Sequence, residues 1–414
     1  MDASVIVIGD EILLGQVTDT NSGDIARTLT PEGWNIRRVM TVGDDAAEIR
    51  RAVDMCMADS MLTVTTGGLG PTKDDITKGV MTEVFGGEPV LREDVLEHIR
   101  TIFERRGRTL NESTRTQAIV PSSAHIITNP QGTAPVMWFE RGGHALVCLP
   151  GVPYETRAIL ADGELTDRIR ATFADTDIHR RHHTVMCAGV TESGLSEYLE
   201  PFETSLAEGL HLAYLPTPGL IKLRLDGAGR DREALDRSFD TALARLTREY
   251  GKYIIYAGGE ATMAEIVLRR ARGRGLTLAT AESCTGGNIA HSLTAVPGSS
   301  DVYLGGVVSY ANAVKEGVLG VASETLAAHG AVSREVVTMM AEGARRITGA
   351  DVAVATSGIA GPGGGTPDKP VGTVWMAVAT STGTEAMLHQ FPGNRATVIT
   401  RATNQALLEV LSRI

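Results

Sequence analysis

Short blocks of continuous apolar, largely β-branched residues alternate along the first part of the chain with stretches whose apolar positions recur every three or four residues. Continuous blocks fit buried strands, and the three-to-four spacing fits helices with one buried face. The pattern predicts strands over 4–8, 34–41, 61–65, 136–139 and 145–148, with helices over 21–29, 46–57, 76–85 and 92–106. Strands and helices in alternation build mainly parallel sheets with helices on both faces. Between 168 and 256 the character changes to a strand at 183–188, a helix at 193–199, strands at 211–214 and 220–225, a helix at 232–250 and a short strand at 253–255. From 257 the alternation returns, with a helix at 263–272, strands at 276–280 and 303–310, a helix at 333–348, strands at 351–356, 371–379 and 385–390, and a closing helix after Arg395. The expected fold class is therefore α/β. Two three-layer α/β domains with mainly parallel sheets, 1–167 and 257–414, are joined by a small α+β module at 168–256.

Composition narrows the functional classes. A chain of 414 residues with 43% hydrophobic content is long enough for two or three domains with sizeable cores. The net charge of −11, with no basic tract, makes nucleic acid a poor partner. Four cysteines (Cys56, Cys148, Cys187 and Cys284) lack CxxC or CxxH spacing, which argues against structural zinc and a disulfide framework and fits a reducing cytosol. Met1-Asp2-Ala3-Ser4 lacks a basic region, and the apolar run behind it is too short for a signal or membrane helix. The expectation is a cytoplasmic protein without a membrane partner.

Candidate chemistry gathers where strands give way to helices. Ala281-Glu282-Ser283-Cys284-Thr285-Gly286-Gly287 follows the strand at 276–280 and precedes the helical spacing that begins at Asn288. Such a turn presents a short nucleophile and helix N–H groups to a ligand. It can equally be an N-cap serine and a tight turn. No aspartate–histidine pair stands beside the serine, and His291 and His329 read as helix-surface residues, so a Ser–His–Asp triad is poorly supported. A neutral lysine can activate serine when burial or a nearby cation lowers its pKa. Lys315, just after Ser309-Tyr310, is placed to do so, although a lysine on a helix is more often solvated. The glycine-dense stretch Ser357–Pro367 follows another strand. Near the amino terminus, Gly9-Asp10-Glu11 ends the first strand, and Thr66-Gly67-Gly68-Leu69-Gly70-Pro71-Thr72-Lys73-Asp74-Asp75 ends a later one. Glycine backbone can cradle phosphate while carboxylates hold a divalent cation. The Gly-Lys-Ser/Thr ending of a Walker A loop is absent.

These motifs resemble the CinA family (competence/damage-inducible protein A) along nearly the whole chain. The C-terminal resemblance rests on Ala281–Gly287, Tyr310-Ala311-Asn312 with Lys315, His329–Ser333, Ser357–Pro362 and Lys369–Val374. That domain is also known as a free-standing nicotinamide mononucleotide deamidase. The resemblance implies hydrolysis of nicotinamide mononucleotide to nicotinate mononucleotide and ammonia without a cofactor. It assigns Ser283 as nucleophile, Lys315 as base and Tyr310 as a further catalytic residue. Thr285, Gly286, Gly287, Asn312, Thr356, Ser357, Gly358, Gly361 and Arg395 become substrate-binding candidates. The N–H groups of Thr285 and Gly286 are the expected oxyanion donors, and Arg395 with the loop 361–365 is expected to take the phosphate.

The N-terminal part is similar to the molybdopterin-binding fold of MoaB and MogA. In the CinA branch this implies a metal-dependent ADP-ribose pyrophosphatase, with Asp10, Glu11, Asp74 and Asp75 as ligands of a divalent ion. Gly67, Gly68, Gly70 and Lys73 would bind phosphate. The middle module corresponds to a KH-like domain without a basic GxxG loop, and a homodimer is expected. A second reading stays open: a pterin-binding or competence-related interaction protein whose C-terminal pocket is vestigial.

Overall fold

The strand Asp2–Ile8 is buried along nearly its whole length, as is Leu62–Thr66, because each lies between two parallel neighbours with helices on both faces. These strands belong to a six-stranded sheet in the order Asn35–Val42, Asp2–Ile8, Leu62–Thr66, His144–Leu149, Val136–Arg141 and His125–Ile127. The first four run parallel, and the last two strands pair antiparallel. The edge strand Asn35–Val42 alternates exposed and half-buried positions up to Val42. The computed structural model describes residues 1–72, 75–173 and 179–414.

Contacts group the chain into two units, Met1–His182 with Asp226–Asp240, and His183–Leu225 with Thr241–Ile414. The middle of the sequence supplies a four-stranded sheet in the order Leu210–Thr217, Leu220–Gly229, His179–Cys187 and Ile254–Tyr256, together with the helices Glu192–Thr204 and Arg232–Glu249. The first of its strands in sequence begins at His179, earlier than the apolar run predicts, because the half-buried polar segment His179-Arg180-Arg181-His182-His183 already has strand geometry.

In the second unit a five-stranded sheet runs in the order Tyr303–Val308, Leu278–Glu282, Val352–Gly358, Thr373–Thr380 and Gly383–Gln390. Its first three strands are parallel and its last two antiparallel. Ala279, Ala281, Ala353, Ala355, Ala377 and Ala379 are each at most 1% exposed and share one core cluster with Val336, Val337, Met340, Ala341 and Ala344 of the helix Arg334–Thr348. Small sheet residues let that helix settle close to the strands. On the same helix Gly343 lies against the segment that follows the helix Asn312–Gly317, where a Cβ would stand 2.1 Å from the Leu319 carbonyl oxygen.

Candidate active site

Three neighbouring parallel strands end together at Glu282, Val308 and Gly358. The carboxyl ends of such strands are where open α/β sheets place ligands. The Ser283 N–H donates to Thr356 O (3.0 Å) and the Ser309 N–H donates to Glu282 O (2.8 Å), so the ladder continues past the central strand on both sides. Gly286 and Gly287 then take φ of 63° and 96°, values that side-chain-bearing residues rarely adopt. They turn the chain into the helix Asn288–Thr294.

Lys315 lies on the short helix Asn312–Gly317 and is 1% exposed. Its Nζ is 3.2 Å from Ser283 Oγ, 2.6 Å from Ser309 O and 3.3 Å from Tyr310 O. Desolvation pushes its pKa below the ordinary lysine value, against a smaller opposing effect of Cys284. A neutral amine has two N–H groups and one lone pair. The two carbonyls match the N–H groups, which leaves the lone pair for the serine hydroxyl. Cys284, next in sequence, is 6% exposed, and burial pushes its thiol up to about 12, so it stays protonated at neutral pH.

The other predicted C-terminal residues divide into those open to a ligand and those tied into the fold. Tyr310 is 61% exposed, and its hydroxyl accepts from Arg395 Nη2 (2.8 Å). Arg395 also donates through Nη1 to Gly361 O (2.8 Å), which joins the closing helix Arg395–Leu411 to the glycine-rich loop. Asn312 is exposed at the start of its helix. Thr285 and Thr356 are buried and hydrogen-bond each other (2.7 Å), while Ser357 Oγ donates to Ala331 O (2.7 Å). Gly358 lies against the next strand, where a Cβ would be 2.6 Å from Thr373 O.

One expectation is corrected. The Gly286 N–H donates to Ser283 O (3.1 Å), closing a turn, and the Gly287 N–H donates to Glu282 Oε2 (3.0 Å). The Gly286 half of the expected oxyanion pair is therefore already engaged within the turn. The residue that sequence reasoning missed is Glu282, fully buried and bonded to the start of the helix. A carboxylate at the end of an apolar strand was the only signal for it.

In the first unit, an open cleft of about 540 Å³ lies beyond the ends of the strands and is lined by Gly9, Glu11, Asp44, the loop 67–71, Asp75, Gln117 and Glu155 among others. Gly67 and Gly68 have positive φ, and a Cβ on Gly67 would stand 2.0 Å from Ile8 O. Asp75 turns back on its own loop. It accepts from the N–H groups of Gly70 (2.7 Å) and Thr72 (2.8 Å) and from the Thr72 hydroxyl. Asp10 instead pairs reciprocally with Asp44, backbone N–H to carboxylate in each direction.

Glu11 lines the cleft, but no three His, Cys, Asp or Glu side chains form a metal-binding group among the described residues. Glu11 and Asp75 line the same cleft and Asp10 is bonded to Asp44, while Lys73 and Asp74 lie outside the described residues. Sequence reasoning also missed Gln117 and Glu155. Gln117 is 3% exposed, with Oε1 lacking a hydrogen-bond partner among the described residues. Lys78 donates to its carbonyl (2.9 Å), and burial lowers the pKa of that lysine to about 8. Glu155 accepts from Asn129 Nδ2 (2.8 Å) and Tyr154 OH (3.2 Å).

The class defined by these features is an α/β protein of two parts, with a serine–lysine pair at the strand ends of one and a glycine-lined cleft at those of the other. Residues 4–164 match the probable molybdopterin binding domain, and residues 260–414 match the CinA C-terminal domain. A CinA-like protein from Cytophaga hutchinsonii is 41% identical over 99% of this chain and 97% of its own length. One from Salinibacter ruber is 41% identical over 95% of each. The crystal structure of the competence damage-inducible protein A (ComA) from Klebsiella pneumoniae is 42% identical and covers 36% of this chain and 94% of its own, with a TM-score of 0.36. This chain belongs to the CinA family. No described helix is long and apolar enough to cross a membrane.

Proposed function

We propose that the C-terminal site hydrolyses the carboxamide of nicotinamide mononucleotide to nicotinate mononucleotide and ammonia. The observation that carries this reading is the buried Lys315 Nζ 3.2 Å from Ser283 Oγ. Ser283 Oγ attacks the carboxamide carbon as its proton passes to neutral Lys315. The carbon–nitrogen bond then breaks, and Lys315 returns the proton to the departing nitrogen, which leaves as ammonia. Water attacks the resulting ester with Lys315 again accepting a proton, and nicotinate mononucleotide departs as Ser283 recovers its hydrogen. The Tyr310 oxygen accepts from Arg395, which leaves its O–H free to donate to the substrate. Arg395 is the cation for the substrate phosphate. Ammonia release from nicotinamide mononucleotide, assayed with and without chelator, tests the proposal. Equal release in both is expected. No release in either favours an interaction protein with an inert pocket.

A second reading is favoured by the cleft of the first unit, whose buried Gln117 Oε1 lacks a partner that a ligand N–H would supply. Its size and glycine backbone suit a nucleotide diphosphate, and the proposed activity is hydrolysis of ADP-ribose. Glu11, Asp44, Asp75 and Glu155 are the described carboxylates that line that cleft. ADP-ribose hydrolysis with added divalent metal and with chelator tests this reading. Pterin binding without hydrolysis would replace it.

A further inference from the structure

Glu282 is 0% exposed, so its side-chain oxygens must find their partners within the protein. Its side chain is fully engaged. Oε2 accepts from the N–H groups of Gly287 (3.0 Å) and Ile289 (3.0 Å), and Oε1 accepts from that of Ala290 (2.8 Å). The helix Asn288–Thr294 has Gly287 at its N-cap and no side-chain cap of its own. A carboxylate from the preceding strand therefore does the work usually done by a capping serine or aspartate. The Asn288 N–H is satisfied by Thr285 O (3.1 Å), so the first turn is bonded throughout.

We infer that Glu282 is the positioning residue of the nucleophile, a conclusion that rests on Ser283 being that nucleophile. The backbone of Glu282 is fixed in the central strand, opposite Val308 on one side and Thr356 on the other. Its side chain fixes the start of the helix. One residue thus closes both ends of the turn that carries Ser283 Oγ. The same residue also reaches the lysine side of the site: Glu282 O accepts from the Ser309 N–H, and Ser309 O accepts from Lys315 Nζ. Nucleophile and base are both referred to Glu282, although it touches neither reacting atom. The N–H groups of Gly287, Ile289 and Ala290 that it occupies are withdrawn from the substrate. A carboxylate suits the position because each oxygen can only accept, whereas an amide would turn an N–H donor toward one of the backbone donors.

The test uses the full chain with Glu282→Gln, which replaces one acceptor oxygen by an N–H donor, and with Glu282→Asp, whose shorter carboxylate arm does not span the three donors. Melting temperature, kcat and KM for ammonia release are measured together. The expected result is a folded variant whose kcat falls roughly ten- to hundredfold, the scale of a small misplacement of a reacting group, with KM within about threefold of wild type. Wild-type kcat in either folded variant overturns the proposal. Failure of both variants to fold also overturns it, by making Glu282 a folding residue alone. If wild type releases no ammonia, the substrate assignment has failed separately. The rate at which a fluorophosphonate labels Ser283, read by intact mass against Ser283→Ala, then takes the place of kcat. Slower labelling in the variants supports positioning. Equal labelling, or an unreactive wild-type serine, refutes it.

Discussion

Ser283 and Lys315 are 32 positions apart in sequence, and what joins them is the parallel pairing of two strands followed by a hydrogen bond of 3.2 Å. Because burial lowers the Lys315 pKa, the base form gains population as pH rises through that depressed value. Deamidation should therefore increase with pH and level off once the lysine is neutral, below the pH at which an exposed lysine titrates. Lys315→Arg, charged at every working pH, should lose about 10²–10⁴-fold in kcat. A flat pH profile, or near-normal turnover in the arginine variant, would remove the lysine base. Arg395→Ala should raise KM for nicotinamide mononucleotide by a larger factor than it lowers kcat, since the guanidinium is assigned to phosphate. A change confined to kcat would reassign it. The serine and lysine could be picked out in the sequence because each follows an apolar strand. The role of Glu282 could not, because it depends on the helix folding back over the strand end, and sequence spacing does not encode that contact.

Elements were readable where burial was continuous. Leu62–Thr66 and Leu278–Glu282 are buried at every position, and their apolar or β-branched runs predict strands directly. The three-residue strands Pro89–Leu91, Ile119–Pro121 and His125–Ile127 were missed, because so short a segment shows no period. The helices Pro153–Asp162 and Glu164–Thr172 were also missed. The first starts at a proline that reads equally well as loop, and Gly163 ends one and opens the next. Glycines of the packed elements carry information only in three dimensions. Gly343→Ala would force a Cβ toward Leu319 O, 2.1 Å away, and should destabilise the contact of this helix with the 318–322 segment by about 1–3 kcal/mol. The check is thermal or denaturant unfolding of the variant. An unchanged midpoint would mean that the backbone can yield there at little cost.

At the scale of the whole molecule, the family matches at 4–164 and 260–414 put each strand-end site inside a separate matched segment. The two chemistries are therefore expected to be separable. Ser283→Ala in the full chain should abolish ammonia release and leave ADP-ribose hydrolysis at its wild-type rate. Joint loss in a folded variant would show that the sites are coupled. The alternation of strands and helices made both α/β parts legible. It did not reveal that the last sheet changes from parallel to antiparallel after Val352–Gly358, since both arrangements place buried strands at similar intervals. In the proposed reaction Ser283, and not its neighbour Cys284, attacks the carboxamide. The most direct measurement is ammonia release from nicotinamide mononucleotide by Ser283→Ala and Cys284→Ala side by side. Loss on the order of 10³-fold or more is predicted for the serine variant, with the cysteine variant retaining turnover. A working Ser283→Ala beside an inactive, folded Cys284→Ala would rule out Ser283 as the nucleophile.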